Sequence, residues 1–257
     1  MRVTSGDKRR ASIDAPVEPM PLAADLGLSH LVHDREVEST MDVVHAMAAA
    51  GAPAGLLVLA DRQRRGRGRS GTRWHSAEPT GLWCTLLERP ADPRIISVLS
   101  LRLGLALAEA LRLLVDSPLQ LKWPNDVVSG DGKIAGILVE ARWRESILDW
   151  VAIGIGINQR VPNAYPNAAC VRTDVTRSVL LHSVVPRIRA AAAALGHLSN
   201  NERDEWQRRD VARGRRIVAP CEGIVAGVAA DGALLVTALD GGSTVAVRTG
   251  SMEFHQL

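Results

Sequence analysis

The spacing of apolar and polar positions changes several times along the chain, and each change marks an element. Residues 1–28 are rich in Pro, Ala and charge and hold no sustained period, which predicts a partly ordered lead-in. From Ser39 the spacing becomes helical: Ser39 or Thr40 can cap a helix that places Val43, Val44, Met47 and Ala48 on one face until Gly51 stops it. Residues 56–60 predict a short buried strand and residues 81–87 another, with an Arg/Gly-rich loop between them. Residues 93–115 predict a long, largely apolar helix. Residues 119–123, 134–142 and 147–157 predict neighbouring strands of one sheet, the first two around the turn-rich stretch 129–132. Helical patterns follow at 178–195 and 201–212, the second polar and anchored by Trp206. The tail, 215–256, changes in kind, to short β-rich runs separated by Glu222-Gly223, Asp231-Gly232 and Asp240-Gly241-Gly242. That spacing predicts a small antiparallel barrel of about five strands. The expected fold is α+β, divided into a lead-in (1–28), a mixed-sheet domain (29–212) and a small β-domain (213–257), with no repeat of fixed period.

Composition narrows the class. With 257 residues, 46% of them apolar, the chain suits one enzyme-sized domain plus a small one, and disorder throughout is excluded. No apolar stretch reaches the ~18 to 20 uncharged residues that a membrane crossing needs, and the first residues lack the apolar core of a signal peptide. A cytoplasmic protein with no membrane partner is the expectation. Cys84, Cys170 and Cys221 are odd in number and form no CxxC, so neither a disulfide framework nor a zinc site is encoded. The net charge of +3 does not by itself imply nucleic acid. Only Lys8, Lys122 and Lys133 of the 31 basic residues are lysine, so 31 − 3 = 28 are arginine. A lysine kept against that bias marks a place where a compact point charge serves and a planar guanidinium does not, or else chance survival on the surface.

Three segments carry candidate chemistry. The first, Arg62-Gln63-Arg64-Arg65-Gly66-Arg67-Gly68-Arg69-Ser70-Gly71-Thr72-Arg73-Trp74, directly follows a strand. Its glycines admit close backbone approach and its arginines offer forked donors to a phosphate or carboxylate. Gly66, Gly68 and Gly71 match GxGxxG literally, but no helix opens at the third glycine, which argues against a dinucleotide fingerprint. A solvated charged loop and an RGG-like nucleic-acid contact are the other readings; the flanking apolar runs favour a folded site. The second segment, Lys122-Trp123-Pro124-Asn125-Asp126, sets a cation, an amide and a carboxylate at a strand end. It is followed by Gly132-Lys133-Ile134-Ala135-Gly136, so across a hairpin Asp126 and Lys133 could face one cavity; taken singly, a surface ion pair is the simpler reading. The third, Gly154-Ile155-Gly156-Ile157-Asn158, alternates glycine within a buried strand and ends in an amide, which marks close approach of a ligand or another backbone, or a bend ending in an ordinary turn residue.

In this order, with Glu38-Ser39-Thr40 ahead of them, these motifs resemble the biotin protein ligases, over roughly residues 30–257. The resemblance implies a biotin/lipoate ligase-type catalytic domain with an SH3-like C-terminal domain. It implies that biotin and ATP with Mg2+ give biotinyl-5'-AMP, from which biotin passes to one lysine of a biotin carboxyl carrier protein of a carboxylase. Carried over by position, Ser39, Thr40, Gln63, Gly66, Arg67, Gly68, Arg69, Lys133 and Gly136 fall to biotin, the first three bonding its ureido ring. Arg67, Arg69, Trp74, Lys122, Asn125, Asp126, Lys133 and Asn158 fall to the nucleotide. Lys133, Arg69 and Asp126 are the expected catalytic residues, Lys133 bridging carboxylate and α-phosphate and Asp126 meeting magnesium or the acceptor lysine.

Two departures stand out: Met41 where the family usually has Asn, and Arg65 where a small residue is common, which would alter the biotin end and the loop packing. Family members that also repress transcription carry a winged helix-turn-helix of about 60 residues ahead of the catalytic domain. Here 38 residues precede Ser39 without such helices, so a ligase without DNA as a partner, monomeric or homodimeric, is expected. The competing functions are a lipoate or octanoate ligase of the same fold, an Arg/Gly-loop nucleic-acid-binding module, and an inactive biotin-binding relative.

Overall fold

The computed structural model describes residues 19–76, 79–130 and 132–255. Two sheets organise them. The larger has seven strands: β1 (His30–Val37), β2 (Leu56–Gln63), β3 (Gly81–Glu88), β4 (Leu119–Lys122), β5 (Asp126–Ser129), β6 (Gly132–Arg144) and β7 (Ile147–Asn158), in the spatial order β1-β2-β3-β7-β6-β5-β4. Only β1 and β2 run parallel; the helix between them makes the crossover, and every other neighbouring pair is antiparallel.

The helices divide between the faces of this sheet. α2 (Thr40–Ala49) covers one, setting Met41, Val44 and Ala48 against Leu56, Val58, Leu87 and Ala152. The other face carries the main core, into which α3 (Leu99–Leu111) and α4 (Arg177–Ala193) send their apolar stripes and α5 (Asn200–Arg209) its Trp206. Residues 56–60 are fully buried because both faces are covered, which is why they read as an unbroken apolar run. α5, polar almost throughout, is held by a capping box between Ser199 and Glu202 and by buried Trp206.

The second sheet is antiparallel, with β8 (Arg216–Ala219), β9 (Gly223–Val228), β10 (Leu234–Thr237), β11 (Thr244–Val247) and β12 (Glu253–Phe254) in the order β11-β10-β9-β8-β12, as expected of a small SH3-like unit. It shares the main core through Ile217, Val225, Leu234 and Met252, and the Trp123 indole donates across to Gly232 O at 3.1 Å.

Some expectations needed correction. Of the expected lead-in, residues 1–18 lie outside those described, as does Gln256 at the end of the tail pattern; residues 19–28 are structured, with helix α1 (Pro19–Asp25) and buried Leu22, Leu26 and Leu28. The helix is a turn or two long and holds only one of these three leucines, too little for a period to show. β1 was missed for a related reason: it is a charged edge strand, HLVHDREV, with no buried residue to give an alternation. The helix expected over 93–115 starts as a 3-10 turn at Pro93–Ser97, and the α-helix proper begins at Leu99. The sheet gains β5, four residues hidden inside what read as a turn region.

Candidate active site

A cleft of about 850 Å3 opens where the C-terminal ends of β2 and β7, the start of α2, the β4–β5 turn and the Arg/Gly loop converge. One part of it is neutral and polar. Gln63, the last residue of β2, accepts through Oε1 from the Thr40 backbone N–H at 2.9 Å and from Thr40 Oγ1 at 3.1 Å, while its Nε2 donates to Ser76 Oγ at 3.1 Å. Thr40 Oγ1 also lies 2.8 Å from Thr85 Oγ1 on β3. All four side chains are buried, so each hydroxyl and amide there is oriented by its neighbours. Ser39 occupies the N-cap of α2 and is 2% exposed, yet its hydroxyl caps nothing; it lines the cleft instead.

The other part is charged. Lys133 Nζ sits 2.6 Å from Asp126 Oδ1 and 4.7 Å from the centroid of the Trp74 ring. A β-bulge creates this pairing: Asp126 faces Gly136 across β5 and β6, but Val128 faces Lys133, so β6 holds one extra residue. The bulge puts Lys133 on the face of Gly136, where an added Cβ would come within 2.9 Å of Lys133 Cε. Arg69 reaches in from the loop, Nη1 toward Asn125 Oδ1 at 3.5 Å and Nη2 to Gly250 O at 3.1 Å. Burial pushes the Arg69 guanidinium below its ordinary pKa, against the charge of Asp126, which raises it. Asn125 is anchored by donating Nδ2 to Ile137 O at 2.7 Å.

The glycines of β6 and β7 are explained by Trp74. A Cβ on Gly156 would meet its ring at 2.5 Å and one on Gly136 at 2.8 Å, so the indole lies directly on the strands. Beyond Trp74 a second cavity, of about 980 Å3, is walled by Trp74, Lys133, His75 and Tyr165, the last two rings 6.0 Å apart edge to face. The loop after Asn158 thus builds a second compartment, and Trp74 and Lys133 border both.

The expected site residues divide accordingly. Ser39, Thr40, Gln63, Arg67, Gly68, Arg69, Trp74, Asn125, Asp126, Lys133 and Gly136 all line the first cleft. Gly66 does not: a Cβ there would meet Ser76 Oγ and Trp74 O at 2.6 Å, so its role is to let the loop close on Gln63. Asn158 spends its amide on Lys133 O and Ala169 O, both at 3.1 Å, tying the backbone of Lys133 while lining the second cavity. Lys122 lies outside both, its Nζ 5.3 Å from the Phe254 ring, which Arg215 also covers. Arg65 is surface-exposed beside Glu38 and leaves the cleft untouched, whereas Met41 is buried in its wall against Gly154. The sequence reading missed Thr85, Ser76 and Ser251. Thr85 had one signal, a lone hydroxyl within the apolar run of β3; Ser251 had none, since it arrives from the second sheet.

The Arg/Gly loop makes a 3-10 turn at Arg69–Gly71 and then runs extended, so no helix follows the GxGxxG match, as expected. Among the described residues no three His, Cys, Asp or Glu side chains converge as a metal site, and no helix is long and apolar enough to cross a membrane.

Residues 34–158 match the Biotin/lipoate A/B protein ligase family. The bifunctional ligase/repressor BirA of Bacillus subtilis (strain 168) is 37% identical over 140 residues, which are 54% of this chain and 43% of that protein. A biotin acetyl-CoA-carboxylase ligase of Paracoccus denitrificans is 38% identical over 135 residues, 51% of this chain and 54% of that one. The chain therefore spans about half the length of these relatives. The structure of the biotin protein ligase from Aquifex aeolicus in complex with biotin and ATP superposes with a TM-score of 0.72 at 26% identity, covering 90% of this chain and 100% of that one.

Proposed function

We propose that the chain is a member of the biotin/lipoate A/B protein ligase family, whose model matches residues 34–158, and that it adenylates biotin and transfers the biotinyl group to a lysine of a carboxylase carrier protein. The observation that carries this reading is the junction at Lys133: one compartment offers hydroxyl and amide groups suited to a ureido ring, the other offers aromatic walls suited to a purine, and Lys133 borders both. A biotin with its ring against Ser39, Thr40 and Gln63 brings its carboxylate to the cation cluster. A carboxylate oxygen attacks the α-phosphorus, the bond to the β-phosphate oxygen breaks, and pyrophosphate leaves. Lys133, Arg67 and Arg69 offset the charge gathering on the phosphoryl oxygens, work done by groups already in place. In the second step the carrier lysine's amine attacks the acyl carbon, AMP leaves, and Asp126 is placed to orient the amine or take its proton.

Magnesium enters this scheme on the nucleotide. Asp126 is ion-paired with Lys133 and no further carboxylate joins it, so the described residues offer no cage, in keeping with an ion carried by phosphate oxygens as MgATP. We assign residues 29–212 to the catalytic unit and 213–257 to the SH3-like unit. The cytoplasm is the proposed compartment, which suits three unpaired cysteines, of which buried Cys84 has its thiol pushed up to about 12.

The test is exchange of labelled pyrophosphate into ATP with biotin, and with lipoate as the control acid. Exchange with biotin alone, followed by labelling of a carrier domain, supports the proposal. Exchange with lipoate alone would assign the same fold to the other acid, and salt-sensitive binding of single strands without ATP turnover would favour nucleic acid.

A further inference from the structure

A line of polar contacts runs from the sheet through α2 to Arg67. The Trp150 indole, which can only donate, gives its Nε1–H to His45 Nδ1 at 3.0 Å. Nδ1 therefore accepts, and the proton of the neutral ring stands on Nε2, which lies 2.8 Å from Glu140 Oε2. Glu140 turns its other oxygen toward Arg67 Nη2 at 3.5 Å, while Asp42 takes Arg67 Nη1 at 2.5 Å. Asp42 and His45 are one turn apart on α2, so one helix face presents both. The His45 and Glu140 side chains are 11% and 29% exposed, which screens their link less than that of a surface pair.

We infer that Glu140 is a positioning residue for Arg67, held in aim by His45 and Trp150 and seconded by Asp42. Arg67 stands between Gly66 and Gly68, on backbone that costs more entropy to order than any other. Two carboxylates on its guanidinium hold it at the cleft before any anion arrives, so part of that ordering cost is met by the fold and not by the ligand. One of its five donors is spent on the hydrogen bond to Asp42 and Glu140 adds an ion pair, so the remainder stay available to a carboxylate or phosphate. The catalytic consequence rests on the proposed adenylation; the effect on the loop does not.

The test is a double-mutant cycle of Glu140→Gln and Arg67→Ala. Glutamine keeps the volume and an acceptor for His45 but removes the charge from Arg67. Two signals are read: hydrogen exchange at the amides of Gly68 and Trp74, bonded within the loop to Thr72 O at 2.8 Å and Gly66 O at 2.9 Å, and biotin-dependent pyrophosphate exchange. Glu140→Gln is expected to speed exchange at both amides several-fold and to raise the KM for biotin roughly fivefold with less change in kcat, and to add nothing in the Arg67→Ala background. Unchanged loop amides, or equal losses in both backgrounds, would overturn the inference. A wild-type protein inactive with biotin would overturn the proposed function alone, and the loop amides would still decide the role of Glu140. Should Glu140→Gln fold poorly, Trp150→Phe removes only the donor to His45 and is expected to shift the same two signals in the same direction by a smaller factor; no shift there counts against the relay.

Discussion

Arg69 Nη2 donates to the carbonyl oxygen of Gly250 at 3.1 Å, so the Arg/Gly loop of the first sheet is bonded to the segment that closes the second. The bond places Ser251 at the cleft and gives the small unit a part in the site. Gly250 has φ +126°, where a side chain is strained, and a Cβ there would meet Pro220 Cβ at 2.6 Å. Gly250→Ala is expected to cost about 1 to 3 kcal/mol locally and to move the carbonyl from Arg69. Pyrophosphate exchange should then fall several-fold at temperatures where circular dichroism still reports a folded chain; full activity would show that the contact is incidental.

Lys133 is the side chain that both compartments share. Lys133→Ala should lower the exchange rate by about a hundredfold to a thousandfold, the scale of losing one preplaced charge-stabilising group. Lys133→Arg should not restore it, because Gly136 and Trp74 leave a slot for a narrow stem and a planar fork needs more width. Near-normal rates in the arginine variant would refute the slot argument.

Gln63 holds Thr40 by two hydrogen bonds in a buried setting. Gln63→Ala strands the Thr40 N–H, while the Thr40 hydroxyl keeps Thr85 Oγ1, and should cost about 1 to 3 kcal/mol, felt as weaker biotin binding. Isothermal titration with biotin in the absence of ATP measures it. An unchanged affinity would move the ureido ring away from this end of the cleft.

Trp74 rests on Gly156 with no room for a methyl group. Gly156→Ala should tilt the indole away from Lys133, altering the Trp74 contribution to fluorescence and raising the KM for ATP more than that for biotin. Equal effects on the two substrates would argue that Trp74 does not divide the compartments.

Asp210, at the join of α5 and the second sheet, has its carboxyl pushed up to about 6 by burial, with the Ala212 N–H opposing the shift. Between the ordinary carboxylate value and 6 the folded chain holds a proton that the unfolded chain has released, so this group's contribution to stability falls as pH rises through that window. Above pH 6 the buried charge is a net cost. Asp210→Asn keeps the cap on Ala212 and should raise the melting temperature at pH 7.5 by a few degrees, with the advantage gone by about pH 4. A variant less stable than wild type at pH 7.5 would contradict this.

What was legible in the sequence depended on how local its cause was. The helix over Thr40–Ala49, the buried strands and the glycine spacing of β7 follow from period and turn chemistry written within about a dozen residues, and a short hairpin brings Asp126 and Lys133 near one another, although the bulge is what pairs them. β1 and α1 were not legible, because an edge strand of charged residues and a helix of two turns owe their places to what they pack against.

The sequence by itself determined the order of motifs, the composition of each wall of the cleft and the choice of a lysine among arginines. Only the tertiary structure decided that Gly136 and Gly156 serve Trp74, that Asn158 holds the backbone of Lys133, that Lys122 turns toward Phe254, and that Glu140 reaches Arg67. Those contacts join residues tens to more than a hundred positions apart, and which of them meet is set by strand order and by a one-residue bulge, neither of which leaves a periodic mark on the chain.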